Sequence, residues 1–276
     1  MFYLKTKNYG LESFLKPHHE VACNTKIKHY KNGQKNITYA SDKVFLPEGW
    51  ENAGRYDENG NHILEFLNSR DYSKSDNPET RLDSLKRAKD FIFDYVLNND
   101  FEFFFTGTLD PKQIDNKDPK EVMKKITKWL QNQTARNDLQ YLLVAEYHKK
   151  GGIHFHGVFK GNVKIVSSGT RKYKGYKKPI KDETALRIGL DISEGHEVFN
   201  LPSWKFGFTT AIKCYGEKTA IAFYITKYLT KDANKIFGRF YWHSRGIEKP
   251  VITYENSDFN AVDSFEFHGF KYEFKG

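Results

Sequence analysis

Two histidines separated by a single residue, His154 and His156, could bind a metal ion. Side chains alternate between the faces of a strand, so the two imidazoles share one face while Phe155 lies on the other. Their positions are about 7 Å apart along the strand, and two imidazoles at that spacing can converge on one divalent ion. Neighbouring glycines, among them Gly157, predict room for backbone bending and for close approach of a substrate. The pair therefore predicts a metal site on a sheet.

A third ligand is available on the preceding strand, which is predicted from Leu139 to Tyr147 and ends at a Lys-Lys-Gly-Gly turn. A hairpin register that pairs Glu146 with either histidine puts its carboxylate on the histidine face. A loop of three or five residues gives that parity, whereas a loop of four requires a bulge. His148 has the same parity and is the alternative ligand. The simpler interpretation is a pair of half-exposed histidines without an ion.

A second group of reactive side chains lies on a predicted helix from Lys218 to Lys231, which contains Tyr-x-x-Lys twice. Tyr224, Lys227 and Lys231 fall within one narrow arc of this helix, and Tyr228 lies one turn beyond Tyr224. A phenol has a pKa of about 10 and is a poor nucleophile at neutral pH. A nearby ammonium favours the phenolate and can contact a phosphate, so the pattern predicts an activated tyrosine. An ordinary amphipathic surface is the alternative.

Residues 160–181 contain many cations and no carboxylate. Basic side chains neutralise phosphates and aromatic rings stack on exposed bases, so this segment is predicted to be a basic loop that binds DNA. A flexible, solvated loop is the alternative. The predicted DNA contacts are Lys172, Lys174, Lys177, Lys178, Tyr173 and Tyr176.

The remaining pattern predicts an α+β fold in which a central antiparallel sheet carries packed helices. Residues 1–75 are polar and rich in turns, with short strands predicted at 37–40 and 62–66, and form an accessory region of unknown role. Residues 76–276 form the domain that holds the reactive side chains. Its further elements are a helix at 76–98, a strand from Phe101 to Leu109, a helix from Pro119 to Gln133, and strands at Ile153–Phe159, Trp204–Lys213 and Arg239–Ser244.

The composition favours a polyanionic partner and a reducing compartment. The 276 residues carry a formal net charge of +9, and 16% of them are aromatic. The two cysteines, Cys23 and Cys214, lie far apart in no metal-binding spacing and indicate no disulfide framework. No run of 18 apolar residues and no signal peptide is present, so we expect no membrane association and a location in the cytoplasm of a bacterial host.

The order of these motifs resembles that of the HUH endonucleases, and specifically of their rolling-circle replication initiators, the Rep proteins. Three features carry the resemblance: the His-hydrophobic-His pair, the Tyr-x-x-Lys helix downstream of it, and Thr106-Gly107-Thr108-Leu109-Asp110, which looks like the first Rep motif. The two tyrosines four residues apart are similar to the two-tyrosine class of phages and plasmids of Gram-positive bacteria. The resemblance covers about 160 residues, from about Leu82 through Trp242.

The resemblance implies a nickase that cuts and joins single-stranded DNA at an origin through a covalent 5′-phosphotyrosine. It implies that His154, His156 and Glu146 bind Mg²⁺ or Mn²⁺, with Tyr224 as primary and Tyr228 as alternate nucleophile. Lys227 and Lys231 would support phosphate contact, and Thr106, Thr108 and Asp110 would shape the floor of the site. The sequence shows no Gly-x-x-x-x-Gly-Lys-Ser/Thr loop, so a separate helicase is expected as partner.

Three other functions fit part of the pattern. A transposase or a relaxase of the same superfamily would keep the fold, although relaxases often place the tyrosine near the N-terminus. A non-enzymatic protein that binds RNA or single-stranded DNA would explain the charge and the aromatics, but not the histidines with Glu146. A cupin also uses His-x-His but needs a glutamate shortly after it, and residues 157–162 contain no carboxylate.

Overall fold

The computed structural model describes residues 3–4, 16–17, 23–39, 55–56, 78–147, 152–230, 238–257, 264–267 and 270–273. The chain divides into two compact units, Asn77–Lys249 and a second unit of Met1–Asp76 with Pro250–Gly276. The strand predicted at 62–66 and the side chains of His148 and Lys231 lie outside the described residues.

Sixteen strands and four α-helices are described in these ranges. In chain order they are β1 (Tyr3–Leu4), β2 (Lys16–Pro17), β3 (Thr25–His29), β4 (Lys35–Tyr39), β5 (Arg55–Tyr56), α1 (Pro78–Asn98), β6 (Phe103–Leu109), α2 (Pro119–Asn137), β7 (Gln140–Tyr147), β8 (Ile153–Lys160), β9 (Val166–Lys172), β10 (Ile180–Lys181), α3 (Asp182–Arg187), a 3-10 turn (Ile192–Glu194), β11 (His196–Asn200), β12 (Gly207–Lys213), α4 (Lys218–Thr230), β13 (Trp242–His243), β14 (Val251–Glu255), β15 (Ser264–Phe267) and β16 (Phe270–Glu273).

The larger unit is built on an antiparallel sheet of eight strands, in the order β10-β9-β11-β12-β6-β8-β7-β13. The predicted α+β class with a central antiparallel sheet and packed helices is therefore confirmed. Strand β8 lies between β6 and β7, and both of its neighbours are antiparallel to it. The strand with the two histidines thus lies inside the sheet, where its backbone is held from both sides.

Helix α2 packs on one face of this sheet, which we call the α2 face. Asp118 caps the helix, since its carboxylate accepts a 2.8 Å hydrogen bond from the amide of Lys120. The predicted apolar side of the helix is confirmed, and it joins a largely aromatic core from β6, β8 and the segment before β12. The buried helix residues are Val122, Ile126, Trp129, Leu130 and Gln133.

Helices α1 and α4 pack on the opposite face, which we call the histidine face because His154 and His156 lie on it. The apolar part of this face is formed by Leu142, Val144 and Val158 of the sheet. Against these residues pack Ile92 of α1 and Ile225 of α4, both fully buried. The same packing that closes this core therefore brings the tyrosine helix onto the histidine strand.

The smaller unit contains a five-stranded sheet in the order β14-β3-β4-β16-β15 and a three-stranded sheet in the order β2-β1-β5. Strand β14 pairs with β3 along its whole length, from Val251 opposite His29 to Glu255 opposite Thr25. The boundary predicted near residue 75 left β14 with the larger domain, whereas the structure joins it to the N-terminal strands. A cross-chain pairing of this kind has no local sequence pattern.

Strands β9 and β10 occupy the segment that was predicted to be a basic loop, and that prediction was wrong. Ile180 pairs with Arg171 in an antiparallel hairpin, and β9 continues onto β11. The frequent lysines hide the alternation by which strands are recognised. Among the described helices, none has the length and apolar character needed to cross a membrane.

Candidate active site

The three predicted metal ligands share the histidine face. In the register of β7 with β8, Glu146 lies opposite His154, one of the two pairings that the sequence allowed, and the loop between the strands has five residues. On the other side of β8, Thr108 lies opposite His154 and Thr106 opposite His156. Residues directly opposite each other project to the same face. Side chains from three strands thus surround the two imidazoles.

His156 is the centre of this group and is buried. Its Nε2 atom lies 3.2 Å from Oε1 of Glu146, and its Nδ1 atom lies 3.2 Å from Oγ1 of Thr106. Both ring nitrogens are therefore engaged, which fixes the orientation of the imidazole. Glu146 is also buried, so its carboxylate is held against a ring nitrogen and largely away from water.

Helix α4 places Tyr228 directly on this imidazole. The rings of His156 and Tyr228 are parallel within 4°, and their centroids are 3.7 Å apart. The two residues are 72 positions apart in the chain, since one lies on β8 and the other on α4. The histidine motif and the tyrosine motif, predicted separately from the sequence, therefore form a single cluster.

Tyr224 lies one turn before Tyr228 and is more open to solvent. Its side chain is 47% exposed, and its ring contacts Tyr228 edge-on at 5.3 Å and Phe104 of β6 edge-on at 4.8 Å. Two edge contacts hold the ring while the hydroxyl-bearing side chain stays accessible. Tyr224 is thus an accessible phenol beside the buried His156–Glu146 pair. Lys227, on the next helical turn, is exposed.

The two tyrosines differ in their readiness to ionise. Burial raises the pKa of Tyr228 far above its usual range, and a hydrogen bond with Tyr224 and the charges of Tyr224 and Glu146 act in the same direction. The Tyr228 phenol therefore stays protonated at any physiological pH and can donate or accept a hydrogen bond without carrying charge.

The donors present are of the types that bind divalent ions: two imidazoles and a carboxylate. Two ligand atoms that bind one ion at about 2.1 Å and at a right angle are about 3.0 Å apart, close to the observed 3.2 Å between Nε2 of His156 and Oε1 of Glu146. Within the described ranges, however, no three His, Cys, Asp or Glu side chains are close enough together to hold an ion. His154 lies on the same face and is half-buried.

The remaining residues of the first Rep-like motif have structural partners. Asp110 follows β6, and its carboxylate accepts a 2.9 Å hydrogen bond from the amide of Lys112. Thr108 and Thr106 are half-buried beside the histidines. Gly157 has a different place from the one predicted: it lies on the α2 face, and a Cβ there would overlap the carbonyl oxygen of Leu142. Its small size lets β7 and β8 approach and does not make room for substrate.

The predicted DNA-binding residues form a separate group at β9 and the turn after it. Lys174, Lys177, Lys178 and Tyr176 are exposed, whereas the Lys172 ammonium donates a hydrogen bond to the carbonyl of Tyr176. Tyr173 is only 5% exposed and packs against Gly195 and Arg171, so its ring is not open to a base in this structure. The exposed cations of this turn are available to phosphates.

Phe208 is a site-face residue that the sequence did not single out. It lies opposite Thr108, in the same cross-strand row as His154 and Glu146, and its side chain is 72% exposed. Since neighbouring strands are about 4.8 Å apart, Phe208 stands about 10 Å from His154 across β6. Only the register of β12 with β6 reveals this, and one residue of slip would turn the ring to the α2 face.

The comparison with protein families agrees with this geometry. Residues 102–233, just under half of the chain, match a family described as replication-associated proteins of the ORF2 type. No curated protein and no solved structure matches the chain. The matched range contains β6, the β7–β8 hairpin and α4, and hence every side chain of the cluster around His156. This part of the chain is therefore similar to replication-associated proteins, which supports a role in the initiation of DNA replication at an origin.

Proposed function

We propose that this protein is a metal-dependent tyrosine endonuclease of the HUH type, which nicks and rejoins single-stranded DNA at the origin of a rolling-circle replicon of a phage or plasmid. One observation carries the proposal: α4 stacks Tyr228 on His156 and leaves Tyr224 accessible beside it. A structural helix would have no need to place two phenols against a buried histidine–glutamate pair. The similarity to replication-associated proteins supports the same function.

In the proposed reaction, the phenol oxygen of Tyr224 attacks the phosphorus of the scissile phosphodiester. The bond from phosphorus to the 3′ oxygen breaks, and the 5′ phosphate becomes esterified to Tyr224. The phenol proton passes to solvent, and the departing 3′ oxygen takes a proton from solvent, so no other reactant is consumed. Joining is the reverse, because a 3′-hydroxyl can attack the phosphotyrosine and release the phenol.

The other side chains hold this arrangement. Tyr228 stays neutral and positions Tyr224 by its hydrogen bond, so we assign it a positioning role. His154, His156 and Glu146 would hold Mg²⁺ or Mn²⁺, which when bound polarises the scissile phosphate. Thr106 keeps His156 oriented through Nδ1. Lys227 contacts phosphate, and Lys231, outside the described residues, is proposed to do the same. A separate helicase would unwind the duplex.

A denaturing gel tests the proposal. The protein is incubated with labelled single-stranded origin DNA in Mn²⁺ or in EDTA, and an SDS-resistant adduct is measured for wild type, Tyr224→Phe and Tyr228→Phe. The matched control is Tyr215→Phe, which removes a hydroxyl from another tyrosine that is 56% exposed and stacks on His196. We expect an adduct in Mn²⁺ alone, lost in Tyr224→Phe and kept in the control.

The other outcomes discriminate between mechanisms. An adduct that disappears only in the double variant would mean that the two tyrosines act interchangeably, and would overturn the positioning role of Tyr228. Tight binding of origin DNA without any adduct would overturn the enzymatic proposal in favour of a non-enzymatic single-strand binder.

A further inference from the structure

A large groove lies at the β13 edge of the eight-stranded sheet, away from the cluster around His156. It is lined by α1, α2, β7 and residues 238–243, and has a volume of about 970 Å³. Ligand sites have volumes of about 300–1,000 Å³, so this groove is large enough for more than one small group. Neither the histidine cluster nor the basic turn after β9 contributes a residue to it.

The charge of the groove has one sign. Arg87 of α1, Arg239 and His243 line it, and none of the described lining residues is an aspartate or a glutamate. Both arginines are exposed. Asp94, whose charge acts on Tyr241, is buried and is not among the lining residues. A groove with two exposed guanidinium groups and no carboxylate is complementary to a polyanion.

Aromatic rings line the same groove. Phe91 of α1 is 38% exposed although its helix buries most of its apolar side, and Tyr241 and Trp242 are half-buried. The ring of Phe91 lies 6.3 Å from that of Tyr241. Burial, with the charges of Tyr95 and Asp94, raises the pKa of Tyr241 to about 12, so this ring brings no negative charge. Aromatic faces beside cations are the two elements of single-strand binding sites.

We propose that this groove is a second binding site for single-stranded DNA, in which Arg87 and Arg239 contact phosphates and exposed rings such as Phe91 stack on bases. Charge complementarity selects a nucleic acid over an apolar peptide or a second copy of this chain, because either of these would leave the guanidinium groups without an anionic partner. The site extends the contact between protein and strand beyond the cluster around His156. It does not depend on strand cleavage.

Fluorescence anisotropy with a labelled short oligothymidylate in EDTA tests the groove separately from nicking. All variants are made in a Tyr224→Phe background, so the outcome stands whether or not the protein cleaves DNA. We compare Arg87→Gln/Arg239→Gln with the control Arg136→Gln/Arg187→Gln, which removes two exposed arginines outside the groove. We expect affinity to fall by about tenfold or more in the groove variant and to stay unchanged in the control.

The salt dependence gives an independent number. Each phosphate contact on a single strand contributes about 0.7 to the slope of log K against log salt, so losing two arginines should flatten the slope by about 1.4. An unchanged affinity and slope in the groove variant would overturn the proposal. Competition at similar concentration by a free nucleoside monophosphate would also overturn it, because the occupant would then be a nucleotide and not a strand.

Photocrosslinking keeps the test valid if a groove variant folds poorly. An oligonucleotide that carries iodouracil is crosslinked to the Tyr224→Phe protein, which has both groove arginines, and the linked peptide is identified by mass spectrometry. A crosslink in the peptide that contains Tyr241 and Trp242, or in the one with Phe91, supports the site. Crosslinks confined to α4 and the turn after β9 would overturn it.

Discussion

The two faces of β8 show how one strand can separate stability from chemistry. On the α2 face, Ile153, Phe155 and Phe159 are all buried in an apolar core, and Gly157 admits the backbone of β7. On the histidine face, His154 and His156 meet Glu146 and the tyrosine helix. The period of two puts each role on its own face. Substitutions at neighbouring positions should therefore affect different properties.

The largest effect is expected for Phe155→Ala. Phe155 is 1% exposed, and the loss of a fully buried phenylalanine costs about 3–5 kcal/mol of unfolding free energy. The matched control is Phe208→Ala, because Phe208 is 72% exposed in the same sheet and should lose less than about 1 kcal/mol. Urea denaturation followed by circular dichroism measures both. Equal losses at the two positions would break the comparison.

His156→Gln should have the reverse character. The variant removes a proposed metal ligand and the ring on which Tyr228 stacks, so adduct formation should fall by about a hundredfold or more. The glutamine amide can still reach Glu146 or Thr106, so the urea midpoint should shift little. The adduct is measured on a denaturing gel under single-turnover conditions. A folded variant with wild-type adduct yield would exclude His156 from the site.

Gly157→Ala tests the α2 face with the smallest possible side chain. The added methyl overlaps the carbonyl oxygen of Leu142, and overpacking of this kind costs about 1–3 kcal/mol. Gly152→Ala is the control, since its Cβ would be 2.8 Å from the side-chain nitrogen of Asn116, which can move aside. Thermal unfolding of both variants gives the difference. A stable Gly157→Ala protein would mean that the β7–β8 pair can separate at no cost.

The histidine side of this comparison was largely predictable from the sequence. Alternation gave the common face of His154 and His156, and parity together with a five-residue loop gave the place of Glu146. The apolar periodicity of α2 and α4 predicted which sides of these helices are buried. In each case the information is local, since it spans at most one hairpin or one helix.

The rest depends on contacts between distant segments. The stacking of Tyr228 on His156 requires the position of α4 on the sheet, and the exposure of Phe208 requires the register of β12 with β6. Composition also misled: Tyr173 has the sequence context of a stacking residue but is buried against Gly195. A period or a charge count does not contain the third dimension that decides which ring reaches solvent.

The smallest effect concerns how dry the histidine face is away from the site. Cys214 follows β12 and packs against the core beneath α1 and α4. Burial, with the charge of Glu102, raises its pKa to about 12 from an ordinary value of 9.0. In a Cys23→Ser background, alkylation by iodoacetamide at pH 8 should therefore be slower than for a free thiol by about a hundredfold or more, and should recover in urea.

The same thiol should make stability depend on pH. Because the folded state keeps the proton that the unfolded chain loses above pH 9, stability should fall as the pH rises from 9 toward 12, and Cys214→Ala should show a weaker fall. Rapid alkylation of the folded protein would mean that water reaches this core, and that the histidine face differs from the α2 face along its whole width and not only at the cluster around His156.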